Sequence, residues 1–239
     1  MGDVLVLCYH ALSERWPAAL STTPERFEEQ LELLLGRGYR PATFTQALTD
    51  PPGPRTLAVT FDDAYRSVLQ LAHPIMERLG VPGTVFAPTD WVGSPEPMTW
   101  QGIDQWLGGP HERELLCLGW PELRTLADGG WEVGSHTRSH PHLTALSDDA
   151  ELDRELTASK AACEEGMGRP CNSIAYPYGD VDARVIAATR AAGYDHGAAL
   201  PKRHGSRDRL DWPRVGVYHG DDLRRFKLKV SPLLRRLRS

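Results

Sequence analysis

Short apolar runs rich in β-branched residues alternate along this chain with stretches of helical periodicity, and that alternation limits the possible folds more than any other feature. Val4–Tyr9, Tyr39–Phe44, Thr56–Phe61, Thr84–Ala87, Trp131–Gly134, Ser173–Tyr176, His196–Ala199 and Val215–Tyr218 read as strands. Pro41 makes the second of these short or confines it to an edge. Thr23-Pro24-Glu25 opens a helix, a cap residue followed by proline, with Phe27, Leu31, Leu34 and Leu35 on one face and Gly36 or Gly38 as its end. Further helices are predicted over 64–79, bent at Pro74 and closed by Gly80, and over 121–128, 148–165 and 182–192. Repeated strand–helix alternation implies parallel strands joined by crossover helices. The fold class is therefore α/β. A (β/α) barrel gathers strand ends on one rim, and a doubly wound open sheet is the alternative.

At 239 residues and 26.6 kDa the chain can bury one large core, and it is read as a single domain over 1–239. A formal charge of -5 gives no electrostatic reason to expect a nucleic-acid partner. Cys8, Cys117, Cys163 and Cys171 are scattered without a disulfide-like spacing, as reduced structural thiols would be. No stretch approaches the ~18 apolar residues that read as a membrane span, and no basic leader precedes Val4–Tyr9. The expectation is a soluble, cytoplasmic chain. Residues 94–119 form the one irregular region, carrying Trp100 and Trp106, and read either as a loop covering the rim or as a substrate-contacting lid. The basic tail, 224–239, alternates Arg224, Arg225, Lys227, Lys229, Arg235, Arg236 and Arg238 with apolar residues. A final helix with solvated charges accounts for it; contact with an anionic membrane surface is the other reading.

The chemistry sits just past predicted strand ends, at His10, Asp62–Asp63, His136–His140 and Tyr178. An Asp and two His spaced i, i+4 are the ingredients of a divalent-metal site, and the neighbouring Asp is a ready base for activating water. Side chains of adjacent residues on an extended backbone point apart, so one Asp can ligate while the other works as base. His136 and His140 would lie one turn apart if the segment after the strand were helical. The bland alternatives are a helix N-cap pair at Asp62–Asp63 and chance spacing of the histidines.

Thr60-Phe61-Asp62-Asp63 and Ser135-His136-Thr137-Arg138-Ser139-His140, in that order, resemble the first two motifs of the polysaccharide deacetylase family, also known as the NodB-homology or carbohydrate esterase family 4 group. The resemblance runs from the first strand to about Val217 and implies a distorted (β/α) barrel. It also implies Asp63, His136 and His140 as metal ligands, usually to zinc, with cobalt, nickel or another divalent ion as alternatives. Asp62 would be the general base. Pro177-Tyr178-Gly179 matches the third motif, where the Tyr178 backbone N–H would help hold an oxyanion. That motif normally carries an Arg at the position of Ala175; Arg214 is the candidate substitute, provided that it reaches Asp62.

The family's last motif, Leu-x-x-His, supplies a catalytic acid. It stands here at the start of the chain, as Leu7-Cys8-Tyr9-His10, and the C-terminal Val217-Tyr218-His219 lacks the Leu position. This order is similar to that of circularly permuted members, including deacetylases of poly-N-acetylglucosamine. His10 is the expected acid and His219 the alternative. The implied activity is metal-dependent removal of N-acetyl groups from an acetylated amino sugar, with the N-acetylated glycan as partner. An O-acetyl esterase or other C–N hydrolase, or a glycan-binding protein that has kept the cleft, are the competing functions. The sequence is silent on oligomeric state.

Overall fold

The computed structural model describes residues 2–200 and 208–237. Its strands are β1 (Asp3–Tyr9), β2 (Ala11–Leu12), β3 (Ser21–Thr22), β4 (Arg40–Ala42), β5 (Arg55–Phe61), β6 (Gly83–Ala87), β7 (Glu132–Ser135), β8 (Ser173–Ala175), β9 (His196–Ala199), β10 (Trp212–Pro213) and β11 (Val215–Gly216). The helices are α1 (Pro24–Gly36), α2 (Phe44–Thr49), α3 (His73–Leu79), α4 (Trp120–Asp128), α5 (Asp149–Met167), α6 (Ala183–Ala191), α7 (Leu223–Lys229) and α8 (Pro232–Leu237). Local chemistry starts several of them. Thr23, Asp148 and Asp182 accept from the first free N–H groups of α1, α5 and α6, and left-handed Gly168 stops α5.

The main sheet runs β10-β9-β8-β7-β6-β5-β1-β11 with its pairs parallel, and β4 lies beside β5; β2 and β3 pair separately. Only Arg214 separates β10 from β11. Trp212 and Pro213 pair with Ala198 and Ala199 of β9, whereas Val215 and Gly216 pair with Leu7 and Cys8 of β1. One short segment thus bridges both edges of the sheet and closes it into a nearly complete barrel. The first and last strands are neighbours, as closure requires. β1 occupies one edge of β5 along its length, so β4 and β6 share the other edge, at 56–58 and 59–61.

Strand periodicity divides the core. Leu5, Leu7, Tyr9, Leu57, Val59 and Phe61 pack outward against Phe27, Leu31 and Leu34 of α1. The alternate residues Val6, Ala58, Phe86, Ala175 and Ala198 meet inside with Phe44 of α2. Three of these strand residues are alanines, which leaves room inside for the rings of Phe44 and Phe86. Phe44 enters where β4 and β6 diverge, and its ring lies 5.7 Å from that of Phe86. Glu132, at the start of β7, accepts from Thr45 Oγ1 at 2.7 Å and Ser173 Oγ at 2.6 Å, tying α2 to the opening ends of β7 and β8.

Several elements differ from the sequence expectation. The segment predicted as strand 39–44 pairs only over 40–42, because Thr43 caps α2 instead, accepting from Gln46 N–H. The long helix over 64–79 is a tight turn, a π-helical turn at Val68–Ala72 and then α3. Pro74 brings no N–H to the helix, and the His73 N–H reaches back to the Val68 carbonyl, so the widened turn absorbs the break. The predicted last strand, 215–218, starts as expected but pairs only over 215–216, and a further short strand at 212–213, on the other side of Arg214, precedes it. The tail is two short helices rather than one, broken before Pro232. Its charges are not all solvated: Lys229 pairs with Asp221 and Arg235 with Asp3, whereas Arg238 lies outside the described residues. The four cysteines are free and buried. Among the described residues, no helix is long and apolar enough to cross a membrane.

Candidate active site

Strand parity aims the site residues. Val6, Cys8 and His10 alternate along β1 and past its end, as do Ala58, Thr60 and Asp62 along β5 and Gly134 and His136 along β7. The backbone just past the strand ends is strained. Asp63, Ala64, Thr137, His140 and Tyr178 have φ of 67°, 49°, 64°, 66° and 59°, and they are the non-glycine residues with positive φ among those described. Left-handed backbone at non-glycine residues is costly and collects where geometry is imposed by function. Ala64 carries a Cβ through a conformation that glycine adopts freely.

Asp63, His136 and His140 converge, their ligand atoms all within 4.8 Å of one another. Asp63 Oδ1 lies 3.3 Å from His136 Nε2 and 3.3 Å from His140 Nε2, yet it accepts no well-directed hydrogen bond and is buried. That separation matches the edge of a tetrahedron with vertices ~2.0–2.2 Å from its centre, roughly 3.3–3.6 Å. An orphaned buried carboxylate oxygen facing two imidazole nitrogens is the donor set of a cation site, and the three residues could hold a metal. His136 Nδ1 meets the Ala175 carbonyl at 2.8 Å, which makes Nδ1 the protonated nitrogen and leaves the Nε2 lone pair facing inward. The chain between the two histidines is not helical. Left-handed Thr137 and His140 fold it into a loop that turns both rings toward Asp63. Burial would raise the Asp63 carboxyl, but the two histidines hold it well below the usual range. Burial opposes charge on both rings; the Asp62 and Asp63 charges outweigh it at His136 and raise that group, whereas His140 is lowered.

Asp62 faces a different partner. Arg214 Nη1 donates to Asp62 Oδ1 at 2.6 Å and Nη2 to Oδ2 at 2.8 Å, a bidentate pair with both side chains buried. Nη1 also reaches Thr60 Oγ1 at 3.1 Å, and the guanidinium carbon sits 5.7 Å above the Phe86 ring. Burial would raise the Asp62 carboxyl, but Arg214 and then His136 pull it down to about 2. The Cys8 thiol, pushed up by burial, donates to Asp62 Oδ2 at 3.4 Å.

Cys8, His10 and Asp62 also place one ligand-type atom each within 4.8 Å of one another. His10 Nδ1 is buried without a partner, and burial lowers the ring's pKa despite the raising effect of Asp63 and Asp62. His219 is placed elsewhere: its Nδ1 lies 3.2 Å from Ser21 Oγ, and its carbonyl accepts from Arg26. Tyr178 leans over this carboxylate–dihistidine group, 4.8 Å from His140, with His142 stacked 3.6 Å behind it.

Residues 94–119 fold down onto this rim. The Leu118 N–H donates to the Ala64 carbonyl, and the Cys117 thiol to the Asp63 carbonyl at 3.6 Å. Trp100 stacks on His140 at 4.0 Å. No spacing in the sequence distinguishes Trp100 from the other tryptophans, so its place on the His140 ring was not legible. Glu155, whose carboxylate accepts from the Arg138 and Ser139 N–H groups at 2.9 Å, was not singled out either. It lies on the buried face of α5 with Leu152, Leu156, Ser159 and Cys163, and a carboxylate in that stripe was the available signal.

Fold and cluster together define a class: a distorted parallel (β/α) barrel with a buried carboxylate–dihistidine group, able to hold a metal, where its strands end. Residues 49–197 match the family model described as polysaccharide deacetylase, and the chain belongs to that family. YxkH of Bacillus subtilis, whose name places it provisionally among polysaccharide deacetylases, is 25% identical over 208 residues, covering 85% of this chain and 66% of its own. A poly-beta-1,6-N-acetyl-D-glucosamine N-deacetylase of Staphylococcus aureus is 22% identical over 171 residues, 67% of this chain and 54% of its own. The chain thus spans from about half to just under two thirds of the length of these relatives. Among solved structures, the polysaccharide deacetylase BC0361 of Bacillus cereus superposes with a TM-score of 0.75 at 25% identity, covering 96% of this chain and 69% of that one. The Ammonifex degensii IcaB structure shares the fold, with a TM-score of 0.71 at 24% identity over 91% of this chain and 92% of that one. His10 and Arg214 both lie outside the matched residues 49–197.

Proposed function

We propose that this protein is a metal-dependent carbohydrate deacetylase that hydrolyses the acetamide of an N-acetylated amino sugar in a glycan. The observation that carries this reading is the orphaned Asp63 Oδ1 held 3.3 Å from two imidazole Nε2 atoms, beside a separately ion-paired Asp62. Family membership and the name of the S. aureus relative support the substrate class.

Asp63, His136 and His140 would hold a divalent cation, zinc by resemblance to the family. Bound there, it supplies Lewis-acid polarisation of the carbonyl and acidifies water. The chain's own residues do the rest. Asp62 accepts the proton of the attacking water on a carboxylate that Arg214 orients and keeps ionised. That pairing sacrifices basicity for position, because the carboxyl is held near 2. The water oxygen adds to the acetamide carbon, and the Tyr178 backbone N–H donates to the developing oxyanion. His10 delivers a proton to the departing nitrogen as the C–N bond breaks, which yields acetate and a free amine. Trp100 and Tyr178 wall the ligand His140 on two sides and keep bulk water from that flank.

The test is acetate release from a panel of N-acetylated glucosamine oligomers and O-acetylated sugar esters, for the native protein and for Asp62→Asn. Release from the amides that Asp62→Asn abolishes supports the reading. Release from esters alone would replace it with the esterase.

A further inference from the structure

We propose that Glu155, on α5, is a positioning residue that holds the loop between His136 and His140 in the shape a metal requires. This rests on the metal reading above. Glu155 is 3% exposed, and its carboxylate faces the 138–139 turn rather than solvent. Glu155 Oε2 accepts both the Arg138 and the Ser139 backbone N–H at 2.9 Å. Glu155 Oε1 accepts from Ser139 Oγ at 2.6 Å and from Arg138 Nε at 3.5 Å. One carboxylate therefore gathers four donors from two consecutive residues, the pair that immediately precedes a ligand.

The loop needs such an anchor. Thr137 and His140 are both left-handed, so the chain reverses twice within one ligand spacing. Nothing helical supports Arg138 and Ser139, which are exposed, so without the carboxylate their N–H groups would be free to turn outward to water. The two ligands also differ in how their rings are fixed. His136 is locked through its Nδ1 by the Ala175 carbonyl. His140 Nδ1 is buried with no hydrogen-bond partner, so that ring is oriented by its backbone and by Trp100 stacked at 4.0 Å. Its backbone is in turn fixed by Glu155 from one side. From the other, the carbonyls of Thr137 and Arg138 accept from Thr89 and Asp90 N–H. Losing the carboxylate releases the side that carries the charge-assisted bonds.

The experiment pairs zinc affinity with amide hydrogen exchange of Arg138 and Ser139 in metal-free protein, for the native chain, Glu155→Ala, Glu155→Asp and Glu155→Gln. Glu155→Ala is expected to weaken zinc binding by about 10–100-fold, the range typical of groups that orient metal ligands, and to speed exchange at both amides. Glu155→Gln retains a carbonyl oxygen for the two N–H groups and should stay within about threefold of native. Should Glu155→Ala fail to fold, Glu155→Asp carries the test. It keeps the charge but withdraws it by one methylene, and it should lose affinity as Ala would. Unchanged affinity in folded Glu155→Ala or Glu155→Asp overturns the proposal, as does lost affinity in either with both amides as protected as before. A native protein that binds no zinc would remove the metal reading, while exchange at Arg138 and Ser139 would still judge the anchor.

Discussion

Asp62 shares both carboxylate oxygens with one guanidinium, and this pairing decides what it can do. Arg214→Lys keeps a positive charge but cannot present two parallel donors, so Asp62 loses its fixed plane. Acetate release by that variant should fall by at least ~10-fold, with the loss in kcat rather than KM. Arg214→Met leaves the carboxylate buried without its cation and should cost about 3–5 kcal/mol of stability in urea unfolding. A variant with native stability would show that the pair contributes nothing. For the proposed acid, His10→Ala should lower kcat by ~10²–10⁴-fold, whereas His219→Ala should remain near native, because His219 is engaged with Ser21. Equal losses in the two variants would contradict this assignment. Residues of this kind were legible because each sits in a spaced motif at a strand end. Arg214 was legible only as the candidate replacement for an Arg absent at Ala175. Trp100 and Glu155 were not, because their roles arise from where the 94–119 loop and α5 come to rest.

At the level of elements, the period-two rule does most of the work, since it predicts which strand residues enter the barrel and continue into His10, Asp62 and His136. The narrow interior makes that rule strict. A Cβ on Gly134 would meet Ser173 Oγ at 2.6 Å and the Phe86 ring at 2.7 Å, in the strand that leads to His136. Gly134→Ala should therefore cost ~1–3 kcal/mol and lower Tm by roughly 3–10 °C, measured by thermal unfolding. No change in Tm would mean that the lumen is looser than its contacts suggest. Most strands and helices followed from the sequence because their apolar period and caps agreed. The exceptions have local causes: Thr43 preferring a helix cap over a longer strand, Pro74 forcing a widened turn, and Arg214 separating two short strands that pair on opposite edges of the sheet. The ligand loop was misjudged for another reason. Nothing in Ser135–His140 announces that Thr137 and His140 are left-handed, since neither is glycine.

The molecule is closed twice, once by the 212–216 segment between β9 and β1 and again where β1 meets α8. Asp3 of β1 accepts from Tyr39 Oη and from Arg235 of α8, the latter at 2.6 Å. Burial, then the bond to Asp3, raises the Tyr39 phenol to about 12. A raised folded-state value means the protonated form is the stabilised one. Its contribution is complete below pH 10 and is lost as the pH rises from 10 through about 12. Unfolding free energy should decline over that window, and Tyr39→Phe should decline less steeply; identical slopes would show that the clasp does not titrate. The central claim concerns the other end of the barrel, where Asp63, His136 and His140 meet. Its most direct test is acetate release from N-acetylglucosamine oligomers by protein stripped with a chelator and titrated with zinc. The account predicts that stripping abolishes release and that activity returns linearly to a plateau at one equivalent, with Asp63→Ala silent throughout. Release that survives stripping, or that Asp63→Ala retains, would contradict it.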